Sequence, residues 1–142
     1  MKTRIISGAV LTVILVGAVL GGGTTMFILA AIITALGLYE LYKVVGIEKK
    51  ALGICGYILA ASFYTMLWFD KLQYLEYFCV ASGILTMFVY VCSFKTTRAK
   101  QAAFSLLGIY YVAIPISYIY RIRIMEKGIF IFILVFVCSW IA

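Results

Sequence analysis

Long apolar stretches dominate the chain, and short clusters of glycine or charge interrupt them. Six such stretches run over about 5–23, 24–42, 51–69, 75–94, 102–120 and 128–142. Lys2 and Arg4 precede the first, and Gly21-Gly22-Gly23 ends it. Lys43, Glu48, Lys49 and Lys50 separate the second from the third. Asp70 and Lys71 close the third, and Lys95, Arg98 and Lys100 follow the fourth. Arg121, Arg123, Glu126 and Lys127 precede the last. A helix needs about 20 mostly apolar residues to cross a bilayer, whereas a barrel strand needs about 9–11 in strict alternation. The runs are too long and too uniformly apolar for strands. In lipid a helix also satisfies its own backbone. The pattern predicts an all-α, polytopic integral membrane protein with about six transmembrane helices. A basic start followed by an apolar core also fits a signal peptide, but the length of the first run and the spans after it favour a retained helix.

Composition narrows the picture. Hydrophobic residues make up 66% of the 142 and charged residues 12%, against roughly 45–50% and 25% in a soluble domain. Six spans of about 20 residues leave no room for a separate soluble domain, so residues 1–142 are read as a single helical membrane region. Histidine is absent, which excludes a Ser-His-Asp triad and an imidazole base. Cys55, Cys79, Cys92 and Cys138 form no C-x-x-C pair and lie in apolar runs. They are expected to be small buried hydrophobes rather than zinc or redox ligands. No metal site is assigned.

The net charge of +7 points first to topology and anionic lipid headgroups rather than nucleic acid. The amino terminus and the second and fourth loops carry two, three and three Lys or Arg, and the first, third and fifth carry none, one and three. The positive-inside rule therefore places the amino terminus in the cytoplasm. The fifth loop disagrees, which raises two alternatives: a fifth run that is re-entrant or bent at Pro115, or a loop that is basic for another reason.

Few residues carry candidate chemistry. Gly21-Gly22-Gly23-Thr24-Thr25 lacks the lysine of a phosphate loop and reads as a tight turn. Gly17 and Gly21 have the spacing of a helix-packing pair. Glu40 and Lys43 share a helical face and are expected to pair, flanked by interfacial Tyr39 and Tyr42. Tyr110 and Tyr111 lie inside the fifth run, where a phenol needs a partner. Arg121 and Arg123 are the candidate ligands of a lipid phosphate, because guanidinium matches phosphate bidentately. The carboxylates Glu40, Glu48, Asp70, Glu76 and Glu126 include none deep in a run, which counts against a proton-coupled carrier.

Several segments carry a family resemblance. Met1-Lys2-Thr3-Arg4-Ile5-Ile6-Ser7-Gly8 and Gly37-Leu38-Tyr39-Glu40-Leu41-Tyr42 are similar to the start and the second-helix end of bacterial phosphatidate cytidylyltransferases (CDP-diglyceride synthetases). Leu107-Gly108-Ile109-Tyr110-Tyr111-Val112-Ala113 resembles their L-x-G-x-x-Y segment. Val135-Phe136-Val137-Cys138-Ser139-Trp140-Ile141-Ala142 resembles the helix leading into their D-T-x-A-Y motif.

The resemblance spans the whole chain but only about the amino-terminal half of a family member. It implies cytidylyl transfer from CTP to phosphatidate, giving CDP-diacylglycerol and pyrophosphate in phospholipid biosynthesis. The phosphate monoester attacks the α-phosphorus of CTP, with Mg2+ held by carboxylates in the full-length enzyme. It also implies a multi-pass protein of the bacterial inner membrane that works as a homodimer. No catalytic residue is carried over, because the family's site lies mostly in its carboxy-terminal part. The apolar ending at Ile141-Ala142 would place a carboxylate in hydrocarbon. The expectation is therefore a truncated chain that lacks the catalytic carboxy-terminal region and is inactive alone. The alternatives are a small transporter or channel subunit, or a non-catalytic membrane scaffold.

Overall fold

The computed structural model describes residues 13, 14, 17 and 20–141. Every regular element among them is helical. Helix α1 is Gly23–Val45 and α2 is Ala51–Trp68. A 3-10 turn, Leu72–Tyr74, leads into α3, Leu75–Cys92. Then α4, Ala99–Leu107, continues through a π-helical segment, Gly108–Ala113, into α5, Ile114–Ile124. The last helix, α6, is Gly128–Ile141.

Four stretches among the described residues are long and apolar enough to cross a membrane: Gly23–Val45, Ala51–Trp68, Leu72–Cys92 and Ala99–Ile124. The chain is thus an all-α polytopic membrane protein. Most of the expected first span lies outside the described residues. The last helix has 14 residues, about 21 Å at 1.5 Å per residue, against a hydrocarbon core of about 30 Å.

The fifth run lies within one helical stretch of 26 residues, Ala99–Ile124. Its irregularity sits directly before Pro115. Proline donates no N–H, and its ring would press on the carbonyl four residues back, that of Tyr111. Widening one turn to the i→i+5 pattern relieves that contact without ending the helix.

The residues divide into two compact units, Ala31–Ser117 and the described parts of Met1–Ala30 with Tyr118–Ala142. In the first, one cluster gathers Leu38, Tyr42, Ile47 and Ala60 with Leu41, Val45, Tyr57 and Val112 around them. A second gathers Cys55, Leu59 and Ile109 with Phe78 and Val89. In the other unit Met26 packs against Leu29, Ile119, Tyr120 and Ile122.

Turn chemistry sets the α1–α2 connection. Gly46, with φ at +73°, adopts the left-handed conformation that ends a helix. The Ile47 N–H then donates to the Tyr42 carbonyl at 2.9 Å. Ile47 folds back and is fully buried.

Candidate functional site

The features with most chemical content lie at the end of the Ala31–Ser117 unit, where the α1–α2 and α3–α4 loops meet. Lys50 precedes α2. Its Nζ donates to the Thr96 carbonyl at 2.9 Å and to Gln101 Oε1 at 3.2 Å. Gln101 Oε1 also accepts from the Arg98 backbone N–H at 3.2 Å, and Gln101 Nε2 donates to the Val45 carbonyl at 3.2 Å. A side chain at the third helical position that reaches back to the cap N–H is half of a capping box. Here it also ties two loops together. Lys43, Lys49, Lys95, Arg98 and Lys100 are exposed around this staple. One oxygen of Glu48 is buried with no hydrogen-bond partner among the described residues.

Below the rim, Tyr42 acts as a wedge. It is fully buried, and its ring meets that of Tyr57 edge-on at 5.1 Å. Its hydroxyl donates to the Ser105 carbonyl at 3.0 Å, and Ser105 Oγ donates to the Leu52 carbonyl at 2.9 Å. These two bonds link α1, α4 and α2. The wedge fits because Gly56 and Gly108 have no side chain. A Cβ on either would run into the Tyr42 ring and hydroxyl.

Two further polar links lie deeper. Thr34 and Tyr64 share a hydrogen bond of 2.6 Å between α1 and α2. Ser82 and Tyr110 share one of 2.7 Å, and Tyr110 also donates to the Cys79 carbonyl at 2.8 Å. Beside the first link is an apolar cleft of about 270 Å³, bordered by Ala31, Ala35, Leu38, Tyr57, Ala60 and Ala61 among others.

Several sequence-based expectations change. Tyr42 is a core residue and not an interfacial tyrosine, whereas Tyr39 is 47% exposed. Lys43 places its ammonium 5.8 Å from the Tyr39 ring centre, so its partner is an aromatic face rather than Glu40. Cys55 is buried as expected, but Cys79 is half-buried, and Cys92 and Cys138 are exposed. Gly17 faces open space, so it makes no close helix contact among the described residues. Tyr110 finds partners, while Tyr111 is 78% exposed.

Arg121 and Arg123 lie in the last turn of α5. Arg121 is exposed and stacks over Tyr118, its guanidinium carbon 5.2 Å from the ring centre. Arg123 is half-buried. Residues two apart on a helix do not face each other, so the two guanidiniums leave the helix in different directions.

The carboxylates are dispersed. Glu40 is in α1, Glu48 in the next turn, Asp70 after α2, Glu76 in the first turn of α3 and Glu126 after α5. Among the described residues no group of three or more His, Cys, Asp or Glu is placed to hold a metal ion. These residues therefore do not fit the divalent metal that the resemblance implies.

In sequence Lys50 reads only as a topological charge, and Gln101, Ser105 and Ser82 carry no motif that marks them as functional. The one legible signal was Gln101 three residues after Arg98, at a helix start. Gln101→Leu removes the partner of the Arg98 N–H and of the Val45 carbonyl and leaves the Lys50 ammonium only the Thr96 carbonyl. Because the site is partly solvated, the expected loss is about 1–2 kcal/mol, measurable by thermal unfolding in one detergent. An unchanged midpoint would show that the staple is incidental.

No curated protein and no solved structure matches the chain. The model of the cytidylyltransferase family matches residues 2–142. That agrees with the segments similar to phosphatidate cytidylyltransferases and with the four membrane-crossing helices. By a match over nearly its whole length, the chain belongs to the cytidylyltransferase family, nucleotidyltransferases of phospholipid biosynthesis.

Proposed function

We propose that the chain is the lipid-embedded part of a phosphatidate cytidylyltransferase, which joins CTP and phosphatidate into CDP-diacylglycerol and pyrophosphate. The observation that carries this reading is the family match over residues 2–142. Residues 1–142 then form one helical membrane region of six spans. The apolar run before Gly23 and helix α6 supply the first and last. The amino terminus is cytoplasmic, a reading supported by the cation count of the amino terminus and the first four loops, and the membrane is the bacterial inner membrane, which rests on the resemblance to bacterial phosphatidate cytidylyltransferases. Two copies assemble, and Mg2+ serves the complete site through carboxylates other than those dispersed here. Arg121 and Arg123 contact lipid phosphate. Because they diverge on the helix, each meets its own phosphate rather than closing on one.

On this reading the 142 residues supply a scaffold and a lipid-facing surface, and turn nothing over alone. The support is the dispersal of their carboxylates, since phosphoryl transfer needs charge-stabilising groups converging on the phosphates. The test has two arms. Vesicles holding the chain, CTP, Mg2+ and labelled phosphatidate are expected to form no CDP-diacylglycerol above background. A fusion to the carboxy-terminal half of a family member is expected to form it. Product in the first arm would end the scaffold reading, and no product from a folded fusion would end the substrate assignment.

A further inference from the structure

We propose that the rim built from residues 43–50 and 95–101 is a docking surface for the phosphate headgroups of anionic glycerophospholipids in the surrounding leaflet. This inference does not depend on the catalytic reading.

Charge and its fixation carry it. Lys43, Lys49, Lys95, Arg98 and Lys100 are exposed on two loops that the Lys50–Gln101 staple holds together. The two basic loops are therefore held to each other rather than independent. Each cation is within a few residues of the end of a membrane-crossing stretch, which is headgroup level. Two adopt the posture of a side chain lying on apolar surface. Lys43 Nζ is 5.8 Å from the Tyr39 ring centre and Lys100 Nζ is 5.9 Å from that of Phe104.

Helix electrostatics add a reason why an anion belongs there. Helices α2 and α4 both begin at this rim, and neither has an acidic residue in its first turn. In place of acids the starts carry Lys49 and Lys50, and Arg98 and Lys100. Cations at a helix start oppose its dipole. A phosphate resting among them offsets both the mutual repulsion and that mismatch.

Topology alone would account for positive loops, but it needs only the charges and not the staple. The two explanations therefore separate experimentally. The chain is reconstituted in vesicles of equal phosphatidylglycerol and phosphatidylcholine, extracted in mild detergent, and its retained lipid is quantified. The expected result is enrichment of phosphatidylglycerol, falling about 25-fold in Lys49→Gln/Lys95→Gln, since each juxtamembrane cation contributes about a fivefold preference and the two factors multiply. These two side chains are exposed, so folding is preserved. Gln101→Leu keeps every charge, removes two of the bonds between the loops and leaves Lys50 on the Thr96 carbonyl, and is expected to lower the enrichment less than the double substitution does, by loosening the loops. Lys71→Gln/Lys127→Gln removes equal charge elsewhere and is expected to leave it unchanged.

Unchanged enrichment in Lys49→Gln/Lys95→Gln would overturn the proposal. An equal loss in Lys71→Gln/Lys127→Gln would do so too, because net charge alone would then explain retention. Displacement of the lipid by millimolar CTP or inorganic pyrophosphate, dependent on Lys49 and Lys95, would reassign the patch to soluble phosphates.

Discussion

Gly53→Ala is expected to lower the stability of the Ala31–Ser117 unit by about 2–3 kcal/mol, the upper range for forcing a methyl into a packed site. In a helix interior the same change ordinarily gains about 0.5–1 kcal/mol from reduced backbone entropy. Here the sign reverses because the new Cβ points into the backbone carbonyls of Ile47 and Glu48. Backbone cannot rotate away as a flexible side chain can, so the α1–α2 turn must open. Gly83→Ala is the matched control. Its Cβ would meet nothing within 4 Å, so α3 should gain about 0.5–1 kcal/mol from the ordinary helix preference. Thermal unfolding followed by circular dichroism, both variants in one detergent, reads the contrast. Midpoints moving in the same direction would show that the close approach at Gly53 does not govern the fold.

Tyr42→Ala should be the most damaging truncation of a side chain. Removing a large buried ring costs about 3–5 kcal/mol in soluble cores. In a membrane the transfer contribution is smaller, because lipid tails are as apolar as the core, but the packing contribution remains. The expected loss is therefore about 3 kcal/mol. Tyr42→Phe keeps the ring and loses only the bond to the Ser105 carbonyl, about 0.5–1 kcal/mol. The ratio between the two is informative. If Tyr42→Phe proves as harmful as Tyr42→Ala, the hydrogen bond rather than the wedge holds α1 against α2 and α4. Gly56→Ala should then be milder than Gly53→Ala, since it meets the tip of a side chain. Combining it with Tyr42→Phe should recover part of the loss, a coupling that a double-mutant cycle measures.

Helix ends were less legible than helix existence. The second and fifth expected spans, 24–42 and 102–120, are in fact contained in Gly23–Val45 and Ala99–Ile124. Hydropathy stops at Lys43 and Arg121. The helices continue because their charged side chains reach outward from an intact backbone, and Lys43 and Arg121 both rest on a tyrosine. In sequence Pro115 reads as a bend or a re-entry point; in the structure a widened turn directly before it lets the helix continue. No local pattern distinguishes these outcomes, because the choice depends on what packs beside Gly108–Ala113.

By itself, the sequence determined that this protein is helical and lives in a membrane. Those properties follow from summed apolarity and from the need to satisfy every backbone group in lipid, which no tertiary contact can reverse. It also placed the charges at the ends of the runs, and its segment likenesses pointed to the same family that the match over residues 2–142 establishes. Only the tertiary structure decided which polar residues act together. In uniformly apolar helices the hydrophobic period that marks a buried face is missing, so Tyr42 and Tyr39 look equivalent in sequence. One nevertheless becomes a core wedge and the other stays at the surface. The meeting of Lys50 with Thr96 and Gln101 is likewise a product of packing. It joins loops about fifty residues apart in sequence, a separation over which no local spacing carries information.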